Sequence, residues 1–170
     1  MVTGSNDATL EKARSVLLKS INEDNISKFQ KIVVSGFPID ESIGTTGRTS
    51  LMHCAADGSR EMLEQILALG AEINARDVVG RSALHYAARA GRTENLEFLL
   101  EQEGVEIDLM TFGGNTPLMM AAESGNKEAV VQCLNASCNP FAQNAFGQTA
   151  LTFAEKFSFE GDDDTIQGLI

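Results

Sequence analysis

Few side chains in this sequence have the chemistry that catalysis requires. The clearest pair is Cys54 and His85, which lie in neighbouring, similar segments of the chain and could meet as a thiol and its base. A catalytic thiol, however, needs an accessible and electropositive environment. Cys54 stands beside Ala55 in an apolar run, which is typical of a buried thiol that packs as a small apolar side chain. We therefore expect no catalytic residues.

Metal ligands are equally sparse in the sequence. The chain has two histidines, His53 and His85, and neither has the ligand spacing of a zinc site. Cys133 and Cys138 are separated by four residues and have no further ligands nearby. The consecutive acidic residues of segment 160–164 lack the alternation of a calcium-binding loop, so a solvated acidic loop is expected there. The sequence predicts no metal and no cofactor.

Composition and charge argue against several classes of protein. Thirteen Lys and Arg against 24 Asp and Glu give a net charge of −11, which is unsuited to nucleic-acid binding. No apolar run reaches the roughly 18–20 residues of a membrane span, so no membrane insertion is expected. The N-terminus lacks the apolar block of a signal peptide. Three cysteines, an odd number, favour reduced thiols and a cytoplasmic or nuclear location.

Four similar blocks follow Gly47, Gly80, Gly114 and Gly147, at spacings of 33, 34 and 33 residues. A glycine before each block suits a tight turn with a positive φ. Self-similarity at this period is typical of a repeat protein, in which each repeat is one supersecondary unit.

Each block predicts a pair of helices. Thr49, Ser82 and Thr116 are N-cap residue types, and Pro117 suits the first position of a helix. A second helix is indicated by apolar residues at helical spacing: Met62, Leu63, Ile66, Leu67, Leu96, Leu99, Leu100, Val130 and Leu134. Since one helix pair cannot bury its apolar face alone, the pairs are expected to stack.

The blocks closely resemble the ankyrin repeat family. The family pattern T-P-L-H-x-A-A-x-x-G is present as variants at 49–58, 82–91 and 116–125, and its G-A-x-x-N turn is Gly70–Asn74. The resemblance covers roughly residues 20–157. It implies an all-α fold, an ankyrin-repeat solenoid of stacked helix-turn-helix units joined by β-hairpin-like loops.

We expect a single domain over residues 1–170. Its units are expected at about 8–43 (an N-terminal cap), 44–76, 77–110, 111–143 and 144–170 (a C-terminal cap). The resemblance also implies that His85 links one turn to its neighbour by hydrogen bonding, a role that Met52 and Met119 cannot fill. His53 is expected to pack or to face solvent.

Ankyrin-like proteins bind partners through a concave surface formed by the hairpin tips and the exposed positions of the first helices. The resemblance places partner binding here on Arg48, Arg76, Val78, Val79, Arg81, Arg89, Met110, Phe112, Asn115, Glu123, Phe146 and Gln148. Arginine is suited to bidentate capture of carboxylate or phosphate. Apolar side chains on exposed tips are typical of interaction sites.

Two alternatives to a binding surface stay open from the sequence. The arginines could be neutralised by Asp57, Asp77 and Glu72. Val78 and Phe112 could be half-buried against the neighbouring hairpin. In either case the surface would have a structural role.

The leading functional hypothesis is a non-enzymatic interaction module, an adaptor or scaffold. Its partner would be a protein or peptide with acidic and apolar side chains, and the chain itself is expected to be a monomer. The alternative is a free-standing regulatory inhibitor that covers an enzyme or transcription-factor surface, which is favoured if Ile170 is the natural end of the chain. A small-ligand binder or an enzyme is less expected, since a one-layer stack rarely forms a closed pocket.

Overall fold

The computed structural model describes residues 4–156 and Leu169. Within this part of the chain the helices are α1 (Gly4–Asn22), α2 (Ile26–Val34), α3 (Ser50–Asp57), α4 (Arg60–Ala68), α5 (Ala83–Ala90), α6 (Thr93–Leu100), α7 (Pro117–Glu123), α8 (Lys127–Asn135) and α9 (Ala150–Lys156). The all-α fold is therefore as predicted.

The helices form two layers. Each of the pairs α1–α2, α3–α4, α5–α6 and α7–α8 packs together. One layer runs α1, α3, α5, α7 and α9, and the other contains α4, α6 and α8. The main helix–helix contacts lie within a pair or between neighbouring pairs, so the helix pairs follow one another in serial order as a solenoid.

Small side chains set the close approach within the first layer. Cys54, Ala55, Ala87, Ala88, Ala121 and Ala122 are all fully buried. The second layer contributes larger buried side chains, among them Met62, Ile66 and Leu96. Apolar burial of this kind is the main stabilising term of the stack.

The predicted helix starts are confirmed. Thr49, Ser82 and Thr116 are the N-caps of α3, α5 and α7, and Pro117 is the first residue of α7. The Thr49 hydroxyl accepts the Met52 N–H and so satisfies one of the free N–H groups at the helix start. None of the helices in residues 4–156 is long and apolar enough to cross a membrane.

Candidate functional site

Cys54 has the environment of a structural thiol. It is fully buried, and its Sγ donates to the Ser59 carbonyl oxygen at 3.5 Å. Burial, together with the negative charge of Asp24, raises the pKa of this thiol to about 12, although Arg92 opposes the shift. The thiolate that nucleophilic catalysis requires is therefore strongly disfavoured.

His85 links two hairpins, as the resemblance implies. Its ring is fully buried, Nδ1 accepts the Ser82 N–H at 3.1 Å, and Nε2 donates to the Asn115 carbonyl oxygen at 3.0 Å. Burial lowers the pKa of His85 to about 4, so the ring is neutral at pH 7. Both ring nitrogens are engaged, and neither is directed at Cys54.

The other cysteines and acidic residues form no metal centre in the region described. Cys133 and Cys138 are buried free thiols. The pKa of Cys133 is raised, mainly by its hydrogen bond with Cys138 and also by its burial. No cluster of three or more metal-ligating side chains occurs among the described residues. The acidic segment 160–164 lies outside those residues.

The hairpin tips are joined in a row by backbone hydrogen bonds. The Val78 N–H donates to the Thr46 carbonyl at 3.2 Å, and the Phe112 N–H donates to the Val79 carbonyl at 3.0 Å. An equivalent bond is made at the next tip, where the Ala145 N–H donates to the Gly113 carbonyl at 3.0 Å. Each tip is therefore held at a fixed position relative to its neighbours.

Apolar side chains project from this row into solvent. Val78 is 62% exposed, Phe112 71% and Phe146 83%, whereas Val79 and Met110 are about two-fifths exposed. Val78 and Phe112 therefore touch the neighbouring hairpin with one side and leave most of the side chain exposed. An exposed apolar row on fixed tips is typical of an interaction surface.

Arg48 packs on a tyrosine beside the tips. Its guanidinium carbon lies 4.0 Å from the centre of the Tyr86 ring. Burial and the bond to Asp77 raise the pKa of Tyr86, and the positive charges of Arg48 and Arg81 oppose this rise. Neither guanidinium has a carboxylate oxygen within 4.0 Å in the described chain.

Arg76 is used within the fold. Its Nη2 donates to the Met110 carbonyl, and its guanidinium carbon lies 4.9 Å from the centre of the Phe112 ring. Gly80 gives this pair room, since a Cβ there would lie 2.7 Å from the Phe112 nitrogen and 2.9 Å from Arg76 Nη2. Arg76 therefore orients the aromatic tip.

Asp77, which the sequence offered only as a possible partner of the arginines, has a role within the hairpin that the sequence interpretation missed. Its Oδ1 accepts the N–H groups of Val79 at 2.9 Å and Arg81 at 2.8 Å, and its Oδ2 accepts the Tyr86 hydroxyl at 2.6 Å. Burial opposes ionisation, but these bonds outweigh it and hold the pKa of Asp77 below its usual value. Asn144 makes the same two backbone bonds in a later hairpin, so a recurring polar residue before the tip was the available signal.

The remaining predicted residues differ in their accessibility. Asn115 and Gln148 are half-buried and are bridged by Asn144, whose Nδ2 donates to both side chains. Arg89 on α5 and Glu123 on α7 are exposed. The predicted set therefore includes both side chains that are bonded within the fold and side chains that are exposed.

The charge of the chain is unevenly divided along the sequence. Residues 1–92 contain eleven basic and eleven acidic side chains. Residues 93–170 contain two basic and thirteen acidic side chains, so they account for the whole net charge of −11. Arg48 and Arg81 lie in the balanced part.

Comparison with known proteins identifies the family. The family model "Ankyrin repeats (3 copies)" matches residues 16–111, and the model "Ankyrin repeat" matches residues 113–145. The chain belongs to the ankyrin repeat family, whose repeats are general protein–protein interaction modules.

Its relatives differ greatly in length. An ankyrin repeat protein of Rickettsia bellii (strain RML369-C) is 27% identical over 164 residues, which cover 96% of this chain and 87% of the relative. Neurogenic locus notch homolog protein 1 of Xenopus laevis is 27% identical over 154 residues, covering 91% of this chain and 6% of that protein. Neurogenic locus notch homolog protein 2 of Homo sapiens is 30% identical over 124 residues, covering 72% of this chain and 5% of that protein. The chain thus spans most of the bacterial relative but only a small part of the notch proteins.

Proposed function

We propose that this chain is a non-enzymatic adaptor or scaffold module that binds a partner protein or peptide through its hairpin tips and concave face. The observation that carries the proposal is the row of exposed apolar tips, Val78, Phe112 and Phe146, next to arginines without a carboxylate partner. A partner that fits this surface offers apolar side chains to the tips and acidic side chains to the arginines.

The rigidity of the tips supports binding. Because backbone hydrogen bonds join neighbouring tips, little conformational freedom is left to lose when a partner docks. Phe112 is moreover oriented by Arg76 before binding. A fixed aromatic anchor of this kind is typical of the residues that dominate interface energetics.

The state of the thiol and imidazole groups supports a non-enzymatic role. Cys54 is held as a thiol by burial, and both nitrogens of His85 are used in linking hairpins. We further propose that the chain acts as a monomer and a single domain in the cytoplasm or nucleus. The free state of Cys54, Cys133 and Cys138 is consistent with such a reducing compartment.

The experiment is peptide selection on the immobilised chain from a random display library. The expected result is a family of binding peptides whose affinity falls at least tenfold when Phe112→Ala and Phe146→Ala are combined. Because both rings are largely exposed, the melting temperature should hardly change.

The matched control is Phe141→Ala, which removes a ring of similar exposure (65%) from the loop that precedes the last tip. The control should bind the selected peptides like the unaltered chain. If no peptides were selected, or if the control and the tip variant lost the same affinity, the proposed binding surface would be refuted.

A further inference from the structure

The turn that follows α8 holds two cysteines at the positions that close it. Ser137 has a left-handed φ of 66°, and its N–H donates to the Leu134 carbonyl at 2.9 Å. The Cys138 N–H donates to the Cys133 carbonyl, also at 2.9 Å. These two bonds define a Schellman turn, in which the residue after the turn folds back onto the last turn of the helix. The side chains of Cys133 and Cys138 are thereby brought together.

Two earlier repeats contain the same turn with apolar side chains in place of the thiols. After α2 the Phe37 N–H donates to the Ile32 carbonyl, and after α4 the Ala71 N–H donates to the Ile66 carbonyl, both at 3.4 Å. All four side chains belong to the hydrophobic core or pack against it. The turn therefore joins a helix side chain to a turn side chain in each of these repeats, and the backbone bond is shorter where both are cysteine.

The two thiols have the placement that a disulfide requires. A disulfide needs Cα atoms within about 7 Å and side chains that face each other. A backbone hydrogen bond of 2.9 Å holds the Cα atoms of the two residues about 5–6 Å apart. The thiols are hydrogen-bonded to each other, and Cys138 Sγ also donates to the Ile107 carbonyl at 3.8 Å. A covalent bond between them needs no rearrangement of the backbone.

Access to the pair requires only the opening of this turn. Cys133 is fully buried and Cys138 is 3% exposed, but Ser137 and Asn139, on either side of Cys138, are exposed. The left-handed φ strains a residue that is not glycine, so this turn opens at a lower free energy than the stack as a whole. Cys54 is different, since it lies inside α3 and donates to a backbone carbonyl.

We propose that Cys133 and Cys138 are a reversible redox site, at which a small disulfide such as oxidised glutathione converts the two thiols into a disulfide that locks the C-terminal turn of α8. The Cys138 thiolate attacks the glutathione disulfide, which forms a mixed disulfide and releases one glutathione thiolate. The Cys133 thiolate then attacks the Cys138 sulfur and releases the second glutathione. The two cysteines lose two protons and two electrons in total, and one oxidised glutathione becomes two reduced molecules.

The test is equilibration of the intact chain at pH 8 with glutathione buffers of increasing oxidised fraction. After an acid quench, free thiols are alkylated in urea and the chain is cut with trypsin for mass spectrometry. Trypsin cleaves after Lys and Arg, so Cys54 falls in peptide 49–60 and both candidate cysteines fall in peptide 128–156. Peptide 128–156 should lose both alkylation sites together, with a single midpoint, and dithiothreitol should restore them. Peptide 49–60 should stay alkylated throughout.

The native fold should favour the bond. We expect the equilibrium constant for oxidation to be at least tenfold larger in the native chain than in concentrated urea, because the turn already holds the thiols together. By the same linkage, the oxidised chain should melt about 5 °C above the reduced chain in circular dichroism.

Alanine variants connect the signal to the pair. Cys138→Ala introduces the side chain that Ala71 has in the equivalent turn, so the chain should fold, and it should show neither the internal disulfide nor the rise in melting temperature. The matched control is Cys54→Ala, which removes the other fully buried thiol and should leave oxidation of the pair unchanged. If either variant fails to fold, the ratio of the native to the urea constant in the unaltered chain decides the proposal.

Four results would overturn the site. They are oxidation of Cys54 at the same midpoint, a disulfide that forms as readily in urea as in the native chain, an oxidised chain that melts no higher than the reduced one, and mixed disulfides or chain dimers in place of the internal bond. Since the site does not involve the hairpin tips, oxidation and peptide selection test the two proposals separately.

Discussion

Replacing Asp77 should destabilise the chain strongly, because its side chain accepts three hydrogen bonds. Two come from its own hairpin and one comes from helix α5. Asp77→Ala leaves the Tyr86 hydroxyl and the N–H groups of Val79 and Arg81 without their acceptor. Asp77 and Tyr86 are both buried, so water cannot fully replace the lost bonds. Since an unsatisfied buried donor costs about 1–3 kcal/mol, we expect a loss of about 3 kcal/mol.

Asp77→Asn is the informative comparison. Asn144 accepts the two equivalent backbone N–H groups with an amide oxygen, so an asparagine at position 77 keeps these bonds. It loses only the charge and rearranges the contact with the Tyr86 hydroxyl. We therefore expect a loss of about 1 kcal/mol.

The assay is urea unfolding followed by far-ultraviolet circular dichroism at pH 7, repeated at lower pH. The contribution of the Asp77 charge should be complete above the ordinary pKa of 3.8. It should be lost as the pH falls from there through the lower pKa of the folded chain. Asp77→Asn should lack this part of the pH dependence. Equal stability of the alanine and asparagine variants at pH 7 would refute the reasoning.

Further predictions concern the backbone, an imidazole and a thiol. Ser137→Gly should stabilise the chain by about 0.5–1 kcal/mol in urea unfolding, since Ser137 has a φ of 66° and glycine adopts this conformation without strain. His85→Met should remove a dependence of stability on pH. His85 has a pKa of about 4 when folded and about 6.5 when unfolded, so its contribution is complete above pH 6.5 and is lost as the pH falls towards 4. Cys54 should resist iodoacetamide at pH 8 in the folded chain and react rapidly in urea, as measured by mass spectrometry, because burial raises its pKa to about 12.

Each of these predictions has a matched comparison. Gly70→Ala should destabilise the chain by about 1 kcal/mol, because Gly70 has a φ of 90° that alanine adopts only with strain. An added Cβ there would meet no other atom, so the loss would come from the backbone alone, and an unchanged stability would contradict the backbone argument. Met52 and Met119 show that methionine is accommodated at the position equivalent to His85, so an unaltered pH slope in His85→Met would contradict the assignment. Alkylation of folded Cys54 at the rate of a free thiol would show that it is accessible.

The helices were predictable where burial and capping left a pattern in the sequence. The helix start at Ser50 follows from the N-cap Thr49, and α4 follows from its apolar spacing. The N-terminal cap was expected to begin at about residue 8, whereas α1 begins at Gly4. Hydrophobic periodicity reports burial, and residues 4–9 contain few large apolar side chains to show it.

The contacts of the candidate site were less predictable. The tips and arginines could be placed by their position in the repeat, but the meeting of Arg48 with Tyr86 joins residues 38 positions apart. The use of Arg76 within the fold depends on the conformation of its side chain. Such contacts follow from packing in three dimensions, which a repeat pattern alone does not specify.

The uneven division of charge has a consequence for how the molecule meets others. Within the described chain, residues 4–92 are balanced in charge, whereas residues 93–156 carry nine acidic and two basic side chains, so the stack is an electric dipole along its length. In the field of a charged partner such a molecule rotates before contact, so the approach is already oriented. Added salt shortens the range of this torque to about 10 Å at 0.1 M, and encounters then become slower.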